Sequence, residues 1–320
     1  MRQLSSHIKG VTFHGWKTGG AQGFTLLELL VGMVVGGLVA TAILGAYVIS
    51  SRQLTEQRSV ALMHMNQRGS IEDMELQFRM AGYDPLAPMV RNIFGITDVC
   101  RYTIVDENTA PVRSAAGSPA VTFIYDNFDM PGGADGSLDA NDAFISYRLF
   151  DEASDGVFDL ARDTAPGGGG GIVTPREILA ENIQAIGFAF AIDNDGDGML
   201  DRAANDNIIW AVDSDNDNLL DTNLDANGDG VLTTADDTDG NFRINSADHT
   251  PGGAIVGPIP LSSIRSVRVW LLARAHKETE GYLNQNVYQV GDQILSAANG
   301  DFKENLKCRL LVRTIEGRNL

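Results

Sequence analysis

Cysteine is almost missing from this chain: Cys100 and Cys308 are the only two in 320 residues. That excludes a disulfide-dense scaffold and any four-cysteine zinc site. Basic residues are also scarce, with 24 Lys+Arg against 42 Asp+Glu and a net charge of −18. Such a surface repels phosphate backbones, which disfavours nucleic-acid binding as the main function. Histidine occurs five times, and two of those, His7 and His14, fall in the first 23 residues. No His-Glu-x-x-His, Gly-x-Ser-x-Gly or Cys-His arrangement is present, so no catalytic residues are expected. Apolar residues make up 43% of the chain, enough for a packed core. Glycine, at 35 residues, points to many turns and argues against a helical bundle.

The chain has one long uncharged apolar run. Residues 1–23 carry Arg2, Lys9 and Lys17 and no acid. From Leu29 to Ser51 there are 23 residues without a formal charge, bracketed by Glu28 and Arg52. At ~1.5 Å per residue such a helix spans a ~30 Å hydrocarbon layer. The basic leader keeps the amino end in the cytoplasm and sends the rest across. An ordinary secretory signal places its apolar run before the cleavage site. Here the small-residue junction, Gly23–Phe24, comes first. Glu28 is costly inside a membrane and so marks a function. A cut after Gly23 would free an amine at Phe24, and that amine could neutralise Glu28 of a neighbouring helix.

The string Lys17-Thr-Gly-Gly-Ala-Gln-Gly23-Phe24-Thr-Leu-Leu-Glu28-Leu-Leu-Val31 resembles a type IV prepilin signal. The resemblance implies cutting by a prepilin peptidase after Gly23 and N-methylation of Phe24. It also implies docking of Phe24 and Glu28 in a filament. Many pilins have a proline midway along this helix; Gly32, Gly36, Gly37 and Gly45 occur here instead.

Past Arg52 the pattern turns amphipathic. Val60, Met63, Gln67, Ile71, Met74, Phe78 and Ala81 recur at helical spacing, and Gly82 and Pro85 end the run. This predicts one helix of about 55–60 residues, with a core-facing stripe in its second half. The segment Leu76-Gln-Phe-Arg-Met-Ala-Gly-Tyr83 is similar to the end of this helix in PilW-type minor pilins. So are Ser266–Arg274 and the tail from Arg309 to Thr314.

Residues 121–126, 143–150, 183–192, 264–275 and 306–314 read as strands. The expected fold is α+β and pilin-like. A long amino-terminal helix, its first half transmembrane, packs on an antiparallel sheet with an Asp-rich calcium-loop insert. The expected divisions are a leader at 1–23, a transmembrane helix half at 24–51 and a periplasmic half at 52–84. A globular head follows at 85–320, with the insert at 193–240 inside it. Outside the inner membrane Cys100 and Cys308 meet oxidising conditions. A disulfide between them is therefore expected, the alternative being two buried thiols.

Residues 193–240 hold 14 Asp and one cation, Arg202. The acids are phased. Asp193, Asp195, Asp197 and Asp201 stand at positions 1, 3, 5 and 9 of a loop, with Met199 giving a carbonyl at position 7. Asp213, Asp215, Asp217, Leu219 and Asp221 repeat this. Asp225, Asn227, Asp229, Val231, Thr233 and Asp236 extend it to position 12. A hard cation needs six to eight oxygens, and alternate residues of a tight loop supply them. These loops resemble those of EF-hand, dockerin and thrombospondin type-3 modules, which implies one to three Ca²⁺ ions. The first two loops depart from the pattern, with Ala204 and Leu224 at position 12.

The expected protein is a non-enzymatic minor pilin that primes type IV pilus assembly in a tip complex. Its expected partners are the prepilin peptidase, other minor pilins and the major pilin. It is expected first in the inner membrane as a single-pass protein, head in the periplasm, and then in the extracellular pilus. The rivals are a J-class pseudopilin of type II secretion and a calcium-dependent adhesin on a pilin stalk.

Overall fold

The computed structural model describes residues 23–83, 95–104, 112–125, 143–166, 173–250 and 253–318. Residues 1–22 of the expected leader and the glycine-rich stretch at 167–171 lie outside these. The chain divides into two compact units, one running through Thr55 and the other from Glu56.

The first unit is the opening part of α1, a 55-residue helix from Leu26 to Met80. Every residue from 23 to 55 is exposed. By length and composition this stretch is long and apolar enough to cross a membrane. Two of its hydroxyls are satisfied internally: Thr41 Oγ1 donates to the carbonyl of Gly37 and Thr55 Oγ1 to that of Ser51. Such back-bonding satisfies these two hydroxyls within the helix, as an apolar medium requires.

The second unit holds the rest of α1 and two five-stranded antiparallel sheets. Sheet one is a meander of β1 (Gly95–Asp98), β2 (Val121–Tyr125), β3 (Ala143–Phe150), β4 (Asp159–Pro166) and β5 (Val173–Ala180). Sheet two contains β6 (Ile183–Ile192), β7 (Ala211–Val212), β8 (Thr222–Asn223), β9 (Ile264–Arg274) and β10 (Cys308–Glu316). Its spatial order is β8-β7-β6-β9-β10. The long β9 pairs with β6 on one side and β10 on the other, placing Trp270 opposite Gly187 and Val312. Each predicted strand therefore exists, to within two residues at its ends.

The expected helix stripe is the buried one. Met63, Gln67, Ile71, Met74, Phe78 and Ala81 are all buried, and Val60 packs beside them. Phe78 packs its ring, tilted, against Phe123 at 5.0 Å and Tyr147 at 6.0 Å between ring centres, so sheet one is pinned to the helix by aromatics. Ile186, Phe188, Phe190, Val267, Val269 and Leu271 bring sheet two into the same core.

Strand period explains what lies behind sheet two. In β6 the large residues Ile186, Phe188 and Phe190 face the helix core, whereas Ala185, Ala189 and Ala191 belong to a second core. That second core is filled by Trp210, Val212, Leu224, Ala226 and Ile244 from the Asp-rich segment, with Trp270, Leu272, Val290 and Ile294. The acidic segment is thus built onto the sheet through its own apolar residues. It reaches past the expected limit at 240, because Ile244 is fully buried there.

Candidate metal centre and processing motif

The acidic segment folds into successive tight loops on the alanine face of β6. Each begins with a buried aspartate whose carboxylate gathers backbone N–H groups of its own loop. In the first loop, Gly196 and Gly198 donate to the two oxygens of Asp193 at 2.8 and 3.2 Å. Both glycines have positive φ, which is why glycine occurs there. Asp193, Asp195 and Asp197 each bring a carboxylate oxygen to within 4.8 Å of the others. Arg265 Nε lies 3.5 Å from Asp193 Oδ2, so a protein cation already stands at this loop.

The second loop repeats the arrangement with asparagine in the left-handed positions, Asn216 at φ 74° and Asn218 at φ 69°. Asn216 and Asn218 donate to Asp213 at 2.6 and 2.8 Å. Burial raises the Asp213 carboxyl above the ordinary carboxylate range, partly offset by those N–H groups. Asp213, Asp215 and Asp221 form the second oxygen cluster. The loop docks on the chain after β1, where Val99 and Arg101 donate backbone N–H groups to the side chains of Asn218 and Asn216.

In the third loop Asp225 Oδ2 accepts from Gly230 N and from Asn207 Nδ2, both at 3.0 Å. Its other oxygen, Oδ1, is buried with no hydrogen-bond partner among the described residues, and the residue is 2% exposed. Asn227 and Asp229 accept from the N–H groups of Asp229 and Val231. Asp236 closes the loop, accepting from Thr233 N at 2.8 Å and Asn227 N at 3.3 Å. Burial raises the Asp236 carboxyl against those N–H groups, and the charges of Asp225 and Asp229 add to the rise. Thr233 Oγ1 accepts from Ala235 N and caps the short helical turn Thr234–Asp236. The position-8 residues pack inward: Leu220 is fully buried, and Leu200 and Leu232 lie against the second core. Met199 and Val231, expected to offer position-7 carbonyls, have exposed side chains, whereas Leu219 is half-buried.

A further cluster escaped the sequence reading. Asp237, Asp239 and Asp248 also place carboxylate oxygens within 4.8 Å of one another. Phe242 donates its N–H to Asp237, Asn241 to Asp239 and Arg243 to the Asn241 side chain, while Asn245 donates to Asp248. These are the same loop positions, counted from Asp237, that bond in 225–236. The signal was a 12-residue repeat placing Asp237 under Asp225 and Asp248 under Asp236. Two features hid it: Phe242 falls under Gly230, and Asn241 replaces the acid Asp229.

The expected disulfide is corrected: Cys100 and Cys308 are both free. Cys100 turns into the second loop, with Sγ 3.1 Å from Asn218 Oδ1, and Cys308 sits across from Arg274 at the start of β10. Burial, then the charge of Asp98, pushes the Cys100 thiol up to about 12; burial pushes Cys308 up to about 11. Both are inert thiols at neutral pH.

At the amino terminus, Phe24 is exposed and Glu28 occupies the first turn of α1. Thr25 and Glu28 form a reciprocal cap. Glu28 N donates to Thr25 Oγ1 at 3.2 Å, and Thr25 N donates to Glu28 Oε2 at 3.2 Å. The Glu28 carboxylate is therefore held on the backbone N–H of Thr25, the residue after Phe24, at the positive end of the helix dipole.

Residues 19–44 match the prokaryotic N-terminal methylation motif. The match covers the Gly23–Phe24 junction, Glu28 and the opening turns of α1. It implies processing by a prepilin peptidase and points to a structural, non-enzymatic protein. Among solved structures, a type IV-like pilin of Thermus thermophilus is similar at 12% identity and a TM-score of 0.35. That similarity covers 82% of this chain and 97% of the other. No curated protein matches the chain.

Proposed function

We propose that this chain is a minor pilin of a type IV pilus, with a head stabilised by Ca²⁺. The observation that carries the reading is the methylation motif at 19–44, running without a break into a 55-residue helix that ends in an α+β head. In this reading the peptidase cuts between Gly23 and Phe24 and the new amine is methylated. Once the leader is gone, Glu28 of one subunit lies near the Phe24 amine of the next, and the two charges neutralise each other in an apolar filament core. The subunit waits in the inner membrane with its head in the periplasm. It then joins other minor pilins in a tip complex that primes growth by the major pilin.

The Ca²⁺ part rests on three phased loops: carboxylate oxygens converge in the loops that begin at Asp193 and Asp213, and in the third Asp225 keeps a buried oxygen without a partner among the described residues, with Asp193, Asp213 and Asp225 as first ligands. A hard cation with many oxygen ligands fits them better than Mg²⁺, which keeps its waters. The cation fixes the outer face of the head for contact with a neighbour or a surface.

Deleting the gene and restoring it in trans tests the reading. Loss of surface pili, recovered with the intact chain and not with Glu28→Leu, is the expected result. Normal pili with lost exoprotein secretion would make it a J-class pseudopilin instead. Normal pili with lost surface attachment would make it an adhesin on a pilin stalk.

A further inference from the structure

The acidic loops differ in one respect that a count of aspartates does not reveal. In the first loop both Asp193 oxygens accept N–H groups, and Arg265 stands beside them. In the second loop both Asp213 oxygens accept N–H groups as well. In the third, Asp225 is 2% exposed, yet its Oδ1 has no donor among the described residues and no access to solvent. A buried carboxylate oxygen without a partner is strongly unfavourable, and native proteins leave few of them. A bound cation removes the defect. This loop also ends on an oxygen ligand at position 12, Asp236; the loop at 237–248 does so too, with Asp248, but both Asp237 oxygens already accept N–H groups, from Gly240 and Phe242 at 2.9 Å.

Asn207 determines which oxygen is left over. Its Nδ2 donates to Asp225 Oδ2 at 3.0 Å and to the carbonyl of Gly228 at 3.1 Å. The neighbouring Asn205 donates to the same carbonyl at 2.7 Å. The fit is close: a Cβ on Gly230 would come within 2.9 Å of Asn207 Oδ1. Ala203 N in turn holds the Asn207 carbonyl at 2.8 Å, so the hairpin that follows the first loop clasps the third.

We propose that residues 225–236 form the primary cation site of the head, a Ca²⁺ site with Asp225 Oδ1 as first ligand and Asn207 as its positioning residue. This rests on the Ca²⁺ reading given above and adds an order of filling: the third loop first, the other acidic loops more weakly. Asn207 orients the first ligand as an outer-shell partner does in other metal sites.

The test is calorimetric titration of Ca²⁺ into the full chain in detergent, stripped with chelator, together with thermal melting. Asn207→Ala should weaken the tightest binding phase ~10–100-fold. Asp225→Asn should weaken it by at least as much, while Asp193→Asn leaves that phase in place. Asp225→Asn also has a signature that misfolding cannot mimic. Its amide oxygen keeps the Gly230 and Asn207 donors, and its Nδ2 replaces the unpartnered buried oxygen. In chelator it should therefore melt no lower than the wild type, and with Ca²⁺ it should melt lower. If Asp193→Asn or Asp213→Asn removes the tightest phase while Asp225→Asn keeps it, the order of filling is wrong and the Ca²⁺ reading stands. If the wild type binds no Ca²⁺ at all, both fall.

Discussion

Gln67 Nε2 donates to the backbone carbonyl of Leu271 at 2.9 Å and to that of Arg309 at 2.8 Å, from the middle of an apolar helix face. One polar side chain thereby locks α1 to two adjacent strands, β9 and β10. Removing it leaves buried carbonyls short of a donor, a defect of about 1–3 kcal/mol. Gln67→Ala should lower unfolding stability by that amount, and Gln67→Leu should not restore it, which denaturant melts of the two variants will measure.

Gly187 and Val290-Gly291 touch backbone to backbone behind sheet two. A Cβ on Gly187 would meet Gly291 N at 2.5 Å and the Val290 carbonyl carbon at 2.6 Å. Backbone cannot swing aside as a side chain does, so Gly187→Ala should cost ~1–3 kcal/mol or more. Ala185→Gly, on the same face without that contact, serves as the comparison in the same melts.

Asp292 is buried between two guanidinium groups, Arg101 and Arg243. Burial alone would raise its carboxyl, but the two arginines outweigh it and hold the group below the ordinary range. A depressed folded value means the stabilisation is complete above the unfolded carboxylate value of ~3.9 and disappears as pH falls through the folded one. Asp292→Asn strands Arg101 and should cost about 3–5 kcal/mol at neutral pH. The gap between wild type and variant should stay constant from pH 7 to pH 5 and shrink only below about pH 4. A gap that closes near pH 6 would mean that Asp292 is not the group responsible.

Chelator should lower the melting temperature of the full chain, and Ca²⁺ should restore it. At 100 times its dissociation constant, one bound ion adds about 2.7 kcal/mol. Superimposed melting curves with and without chelator, on protein assayed as metal-free at the start, would show that the loops do not use the ion for stability.

Much of the fold was legible because its signals are periodic. The stripe from Met63 to Ala81 has helical spacing, and β6 and β9 are unbroken β-rich runs. Gln67 was visible as the one polar member of its stripe, but its purpose needed two strand carbonyls that are more than 200 positions away. The second core was not legible, because Ala185, Ala189 and Ala191 carry too little side chain to stand out as a packing face. The first three acidic loops could be read from alternate oxygens. The cluster at Asp237, Asp239 and Asp248 could not, because asparagine and Phe242 break the acid-glycine rhythm while the backbone keeps it. The cysteines misled for another reason: compartment permits a disulfide, but only position decides it, and Cys100 points into a loop.

The most direct test of the central claim is the amino-terminal peptide of this protein recovered from sheared, washed surface filaments, read by mass spectrometry. The account predicts a peptide that begins at Phe24 and carries an N-methyl group, at a few copies per filament. A peptide that retains residues 1–23, or a cut elsewhere, would contradict it.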